Sequence, residues 1–145
     1  MKIVAFRLLP GVDLKQELRR IVEEHGLRAG YIVSCVGSLA RARLRMPGAA
    51  GEPERFKSLD EPTEILSLAG TLCPDGLHLH IALAGGDGRC IGGHVVDGCI
   101  VHTTAELIVG ELPDLEFRRA PDPQTGYLEL RVSDRIQDPE GAASP

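Results

Sequence analysis

The chain has 145 residues and 43% hydrophobic content, which suits one globular domain able to bury roughly 68–70% of the surface its unfolded form exposes. Aromatic residues make up only 3% and Trp is absent, so aliphatic side chains must fill the core and stacking platforms for single-stranded nucleic acid are scarce. The net charge of −5 argues against a basic nucleic-acid footprint, and no apolar run approaches the length of about 18 residues that a membrane span needs.

Met1 to Leu9 is a short apolar run ending at Pro10-Gly11 and reads as a first strand, with no signal-peptide pattern. The spacing then predicts a helix. Asp13 is its N-cap, with Gln16 as capping-box partner, and Leu14, Leu18, Ile21 and Val22 form one apolar stripe. Gly26 stands where a glycine ends a helix, and His25 in the last turn suits the helix dipole better than a ligand role. Gly30 to Val36 reads as a buried strand, with Gly37 and Ser38 marking a bulge or bend. Arg41, Arg43 and Arg45 then alternate with Ala40, Ala42, Leu44 and Met46, so a strand would set all three arginines on one face. That face is either simply solvated or an anion and DNA contact patch.

Residues 47–62 read as a loop with a short strand-like piece around Glu54 to Lys57. Glu64 to Leu72 alternates again, which points Leu66, Leu68 and Leu72 to one side and Ile65, Ser67, Ala69 and Thr71 to the other. Pro74-Asp75-Gly76 is turn chemistry and predicts a hairpin. In its second arm Leu77, Leu79, Ile81 and Leu83 face the core, so His78, His80, Ala82 and Ala84 share the opposite face. Gly85 to Gly88 makes a turn, and a segment containing Gly92-Gly93-His94 follows. Cys99 to Val109 is a long strand with Val101, Ala105, Leu107 and Val109 on one face and His102, Thr104 and Glu106 on the other. Further strands are expected around Leu115 to Arg118 and Tyr127 to Val132. The pattern predicts an α+β fold: a mainly antiparallel sheet with one long N-terminal helix, in a single compact domain over residues 1–132. The polar residues 133–145 are expected to form a disordered tail. Cys35, Cys73, Cys90 and Cys99 lack C-x-x-C spacing and read as free thiols in a reducing, cytoplasmic setting.

His78-x-His80 carries the sharpest chemistry. Residues two apart on a strand project from one face, and glycines beside His94 let its backbone approach closely. Three neutral imidazoles plus water make an open zinc-type site, and imidazole also suits other divalent transition metals. The competing reading makes these histidines sheet-surface or interface residues with hydrogen-bond partners. His102 and Glu106 are candidate outer partners of the metal ligands, or members of an interface network. The run G-G-D-G-R-C-I-G-G-H lacks G-K-[ST] and G-x-G-x-x-G spacing, so it is not read as a nucleotide loop. No G-x-S-x-G context supports a serine nucleophile.

The ordered motifs E-I-L-S-L-A-G-T, L-H-L-H-I-A-L-A, G-G-D-G-R-C-I-G-G-H-V-V-D-G and T-T-A-E-L resemble the PPC (plants and prokaryotes conserved) domain family, also called PD1-like DNA-binding proteins. The resemblance covers nearly the whole chain. It implies a compact α+β domain that assembles as a homotrimer, with His78, His80 and His94 as ligands of a zinc-type metal. It also implies a binding or regulatory role linked to DNA, directly or through a DNA-binding partner protein. The chain has no R-G-R-P core, which sets it apart from AT-hook relatives. A metal-dependent, hydrolase-like enzyme at the same histidines, with Glu106 as acid/base, is the alternative.

Overall fold

The computed structural model describes residues 1–48 and 52–135. The chain opens with strand β1 (Lys2–Leu8) and helix α1 (Leu14–His25). Asp13 starts the helix as expected, its Oδ1 accepting from the Lys15 and Gln16 amides at 2.9 and 3.1 Å. No Gln16 side-chain bond closes the capping box among the described residues. Leu14, Leu18, Ile21 and Val22 are all buried, which is what holds a helix this short in place. Gly26, in the left-handed conformation, ends it, its amide and that of Leu27 returning to Glu23 and Val22. The expected long helix is therefore 12 residues, the sole helix among the described residues, and α+β describes a fold that is chiefly antiparallel sheet.

Strand β2 (Gly30–Met46), 17 residues long, is the spine. One of its edges takes β3 (Arg55–Leu59) and then β4 (Thr63–Cys73). Its other edge takes β6 (Cys90–Val95) and then β7 (Ile100–Glu111). Strand β5 (Gly76–Ala84) pairs with both β4 and β6, so β2, β4, β5 and β6 close into a ring. β1 lies on the outer edge of β7. Inside, Leu39, Leu44, Leu79, Leu83, Val95, Val101 and Leu107 are fully buried. Burying each such aliphatic side chain contributes about 1.5–3 kcal/mol, which offsets the near absence of aromatics.

The β4 alternation departs from the expected phase at its start. Ile65 is 5% exposed and Leu66 56% exposed, the reverse of the sequence reading. A bulge opposite Leu83 and Ala82 inserts a residue between Ile65 and Ser67, and a one-residue slip moves side chains to the other face. Strand β8 (Leu115–Pro121) pairs with β9 (Leu128–Asp134) as a separate hairpin. Phe117 of that hairpin packs on Ala29 and Cys73, and the Arg28–Glu116 ion pair ties it to the chain before β2. β9 runs two residues past the expected boundary at 132; the expected tail over 136–145 lies outside the described residues.

Candidate metal centre

Period two on β5 sends Leu79 and Ile81 inward, 0% and 3% exposed, and turns His78 and His80 outward. His94 is brought to them by register: it pairs with His80 across β5 and β6, and with Arg45 across β6 and β2. The glycines before it permit this. A Cβ on Gly92 would lie 2.9 Å from the Ile81 carbonyl oxygen, and one on Gly93 3.1 Å from that of Arg45. On the far side Gly70 plays the same part for β4, at φ 152° and with a Cβ position only 1.9 Å from the His78 carbonyl oxygen.

The three imidazoles form one cluster. Their ring centroids are 5.1, 5.1 and 5.5 Å apart, and one nitrogen from each lies within 4.8 Å of the others. His78 Nε2 and His80 Nε2 are 3.2 Å apart. Two nitrogens bound tetrahedrally at about 2.0–2.1 Å to one zinc stand about 3.3 Å from each other, so this pair already has ligand spacing. His94 Nδ1 is buried and has no hydrogen-bond partner among the described residues. An orphaned buried nitrogen costs about 1–3 kcal/mol unless something satisfies it. Burial, then the nearby Arg45 and Lys15, push His94 down from 6.5 to about 4, and burial followed by His80 lowers His78. Both are thus neutral at pH 7 and hold lone pairs for a cation. The donor set fits a divalent transition metal of the zinc type.

The remaining sequence candidates lie elsewhere. Glu106 and His102 sit on β7, which pairs with β1 and β2 but not with β5, and they do not join the cluster. His102 is exposed, and Glu106 pairs in register with Arg7 of β1. The three arginines share a face as expected, but each has a partner. Arg41 pairs with Asp60 at 2.9 Å, Arg43 stacks over Phe56 at 4.5 Å, and Arg45 pairs with Glu54 at 2.8 Å. His25 packs edge-on against Phe6, away from the cluster.

Sequence reading missed the hairpin's contribution. β8 and β9 lie against the histidine face and wall a cleft of about 380 Å³ that Arg45, His78, His94, Arg119, Tyr127 and Glu129 line in part. Arg119 is fixed there by two contacts. Its Nη2 donates to Thr71 Oγ1 at 2.6 Å, Thr71 being the cross-strand neighbour of His78, and its amide donates to Asp75 at 3.1 Å. Lys15 was missed as well. It is 8% exposed, its Nζ donates to the Val95 carbonyl at 2.8 Å, and burial lowers its pKa.

The model of the Plants and Prokaryotes Conserved (PCC) domain matches residues 1–113. Among curated proteins, the chain is 47% identical over 139 residues to the bifunctional protein GlmU of a Synechococcus strain, covering 96% of this chain and 21% of that one. It is 28% identical over 116 residues to the AT-hook motif nuclear-localized protein 24 of Arabidopsis thaliana, covering 77% and 36%. The chain thus spans about a fifth of the length of the GlmU relatives it matches. Among solved structures, a hypothetical protein from Salmonella cholerae-suis superposes with TM-score 0.86 at 43% identity, over 93% of this chain and 95% of that one. A metal-containing protein from Archaeoglobus fulgidus superposes with TM-score 0.75 at 31% identity, over 89% and 92%.

Proposed function

This chain belongs to the Plants and Prokaryotes Conserved domain family, and we propose that it is a homotrimeric binding module whose His78, His80 and His94 hold one zinc-type divalent metal. The convergence of three imidazole nitrogens, with the His94 Nδ1 buried and unpartnered among the described residues, carries the metal reading. That a relative from Archaeoglobus fulgidus is described as metal-containing supports it. The test is metal analysis by mass spectrometry on untagged protein. About one metal per chain is expected, and His78→Ala, His80→Ala or His94→Ala should each lose it while His25→Ala keeps it. A wild-type protein that takes up no divalent transition metal overturns the reading.

The trimer is supported by a partly apolar outer face. Ile3, Val36 and Ile108, 47, 63 and 39% exposed, stand on the paired strands β1, β2 and β7. They share that face with Arg7 and Glu106, and a partly apolar face of this kind suits a contact between copies of the chain. DNA association is supported by AT-hook proteins among the relatives, but the arginines of β2 are already partnered and the chain is acidic. A DNA role would therefore act through a partner protein, or through weak contacts. One observation favours the enzyme reading: the Glu129 carboxylate lines the cleft beside His78, where an acid/base group would serve hydrolase-like chemistry.

A further inference from the structure

Two charged groups in the histidine cleft do not fit a purely structural role. Arg119 is half-buried, yet it forms no ion pair among the described residues, whereas Arg118 beside it pairs with both Glu116 and Asp75. Its guanidinium is held by Thr71 through Nη2 and so presents its other N–H groups at a fixed place. The Glu129 side chain is also half-buried and makes no hydrogen bond or ion pair among the described residues. Both line the cleft with His78, and both also wall a second hollow running past Thr71 to His80. Leaving a partly desolvated cation and a carboxylate unpaired costs free energy that pairing them with each other would recover. Arg45 lines the same cleft, its Nη1 paired with Glu54 and its guanidinium 5.7 Å over the Tyr127 ring, and Leu77 supplies apolar wall.

We propose that this cleft is a binding site for a small organic acid or phosphate carrying a hydroxyl: the oxyanion is taken by Arg119 beside the histidines, and the hydroxyl donates to Glu129. The cleft's volume falls within the range of roughly 300–1,000 Å³ of small-molecule sites, and a few converging polar groups on an apolar wall are their usual chemistry. Arg119 supplies a planar donor fork matched to carboxylate or phosphate. Glu129 confers selectivity, because an anion without a donor leaves its carboxylate unpaired. Thr71 and Asp75 are positioning residues, acting through Arg119. The assignment deepens the metal reading, since a bound metal would lend the same oxyanion a further cationic partner, but its protein contacts exist without the metal.

The test is calorimetric titration of the full chain, zinc-loaded and chelator-treated, with glycolate, inorganic phosphate and acetate as probes. Saturable binding of glycolate or phosphate, tighter than acetate, is expected, and the tighter of the two names the source of the oxyanion. Arg119→Gln should weaken it by about tenfold, the loss of one charge-assisted contact, with metal content unchanged, and Arg119→Lys should restore part of it. Glu129→Gln should narrow the gap between glycolate and acetate. Absence of saturable binding in either form, or Arg119→Gln binding like wild type, overturns the proposal. So does loss of metal and folded signal in both Arg119 variants, which would make the residue a brace for the hairpin. Anion binding by a chain that takes up no zinc would sink the metal reading alone. Zinc uptake without anion binding would sink this one alone.

Discussion

Acid should destabilise the metal-free protein through His94 before it acts on Asp97. Burial, and secondarily Arg45, hold the His94 imidazolium pKa at about 4, against 6.5 in an unfolded chain. The folded state therefore refuses a proton that the unfolded state accepts. Between pH 6.5 and about 4 the unfolded chain binds more protons, so stability is full above the unfolded value and falls as pH drops through that window. The whole gap would be worth about 3.4 kcal/mol at about 1.36 per pH unit. His94 is only partly buried, and solvent screening reduces the expected loss to about 1–2 kcal/mol. His78, lowered chiefly by burial, adds in the same direction. Asp97, held low by its hydrogen bond to Arg19, gives up its contribution only below about pH 3.9, outside the window. Urea unfolding of chelator-treated protein at pH 7.5 and 4.5 measures the effect. Wild type should lose about 1–2 kcal/mol more on acidification than His94→Gln, which cannot titrate. Equal losses in the two proteins would refute the argument. With metal bound the acid loss should steepen, because each ligand imidazole must stay unprotonated.

Three further outcomes are expected. Light scattering coupled to size exclusion should give three times the 15.6 kDa chain mass, and a clean monomer at micromolar concentration would remove the trimer. Gly70→Ala, which forces a Cβ to within 1.9 Å of the His78 carbonyl oxygen at φ 152°, should destabilise by more than about 4 kcal/mol in chemical denaturation and cost metal binding; a near-neutral change would show that β4 can move away from His78. Duplex DNA should bind weakly, with affinity falling steeply as salt rises, in fluorescence anisotropy; nanomolar, sequence-selective binding at physiological salt would contradict the partnered arginines.

What could be read in the sequence was whatever a local period or a single backbone requirement dictates. The N-cap at Asp13, the stop at Gly26 and the outward turn of His78 and His80 each follow from a few neighbouring residues. His94 was legible because the glycines before it signal a close backbone approach, which the structure shows at Ile81 and Arg45. Leu66 was not, since a bulge has no marker in an alternating run and reverses the phase of what precedes it. The partners of the arginines were hidden because Glu54, Phe56 and Asp60 lie in and around β3, within a stretch that reads mostly as loop.

The hairpin shows the limit most clearly. Alternation around Tyr127 to Val132 reveals that a strand is there, but not what it covers. Its placement over β5 depends on Phe117 finding Ala29 and Cys73, on Arg28 finding Glu116 at 2.7 Å, and on Asp75 in the β4–β5 turn accepting from the Arg119 amide. Each of these contacts joins residues more than 40 positions apart, so no window of sequence contains both ends. The histidines are fixed by strands whose inner faces form the core, whereas Arg119 and Glu129 reach them on an element held by a few polar ties and a small apolar cluster. The histidine cluster is thus built into the strand ring, and the residues that would choose a ligand ride on a hairpin held by fewer contacts.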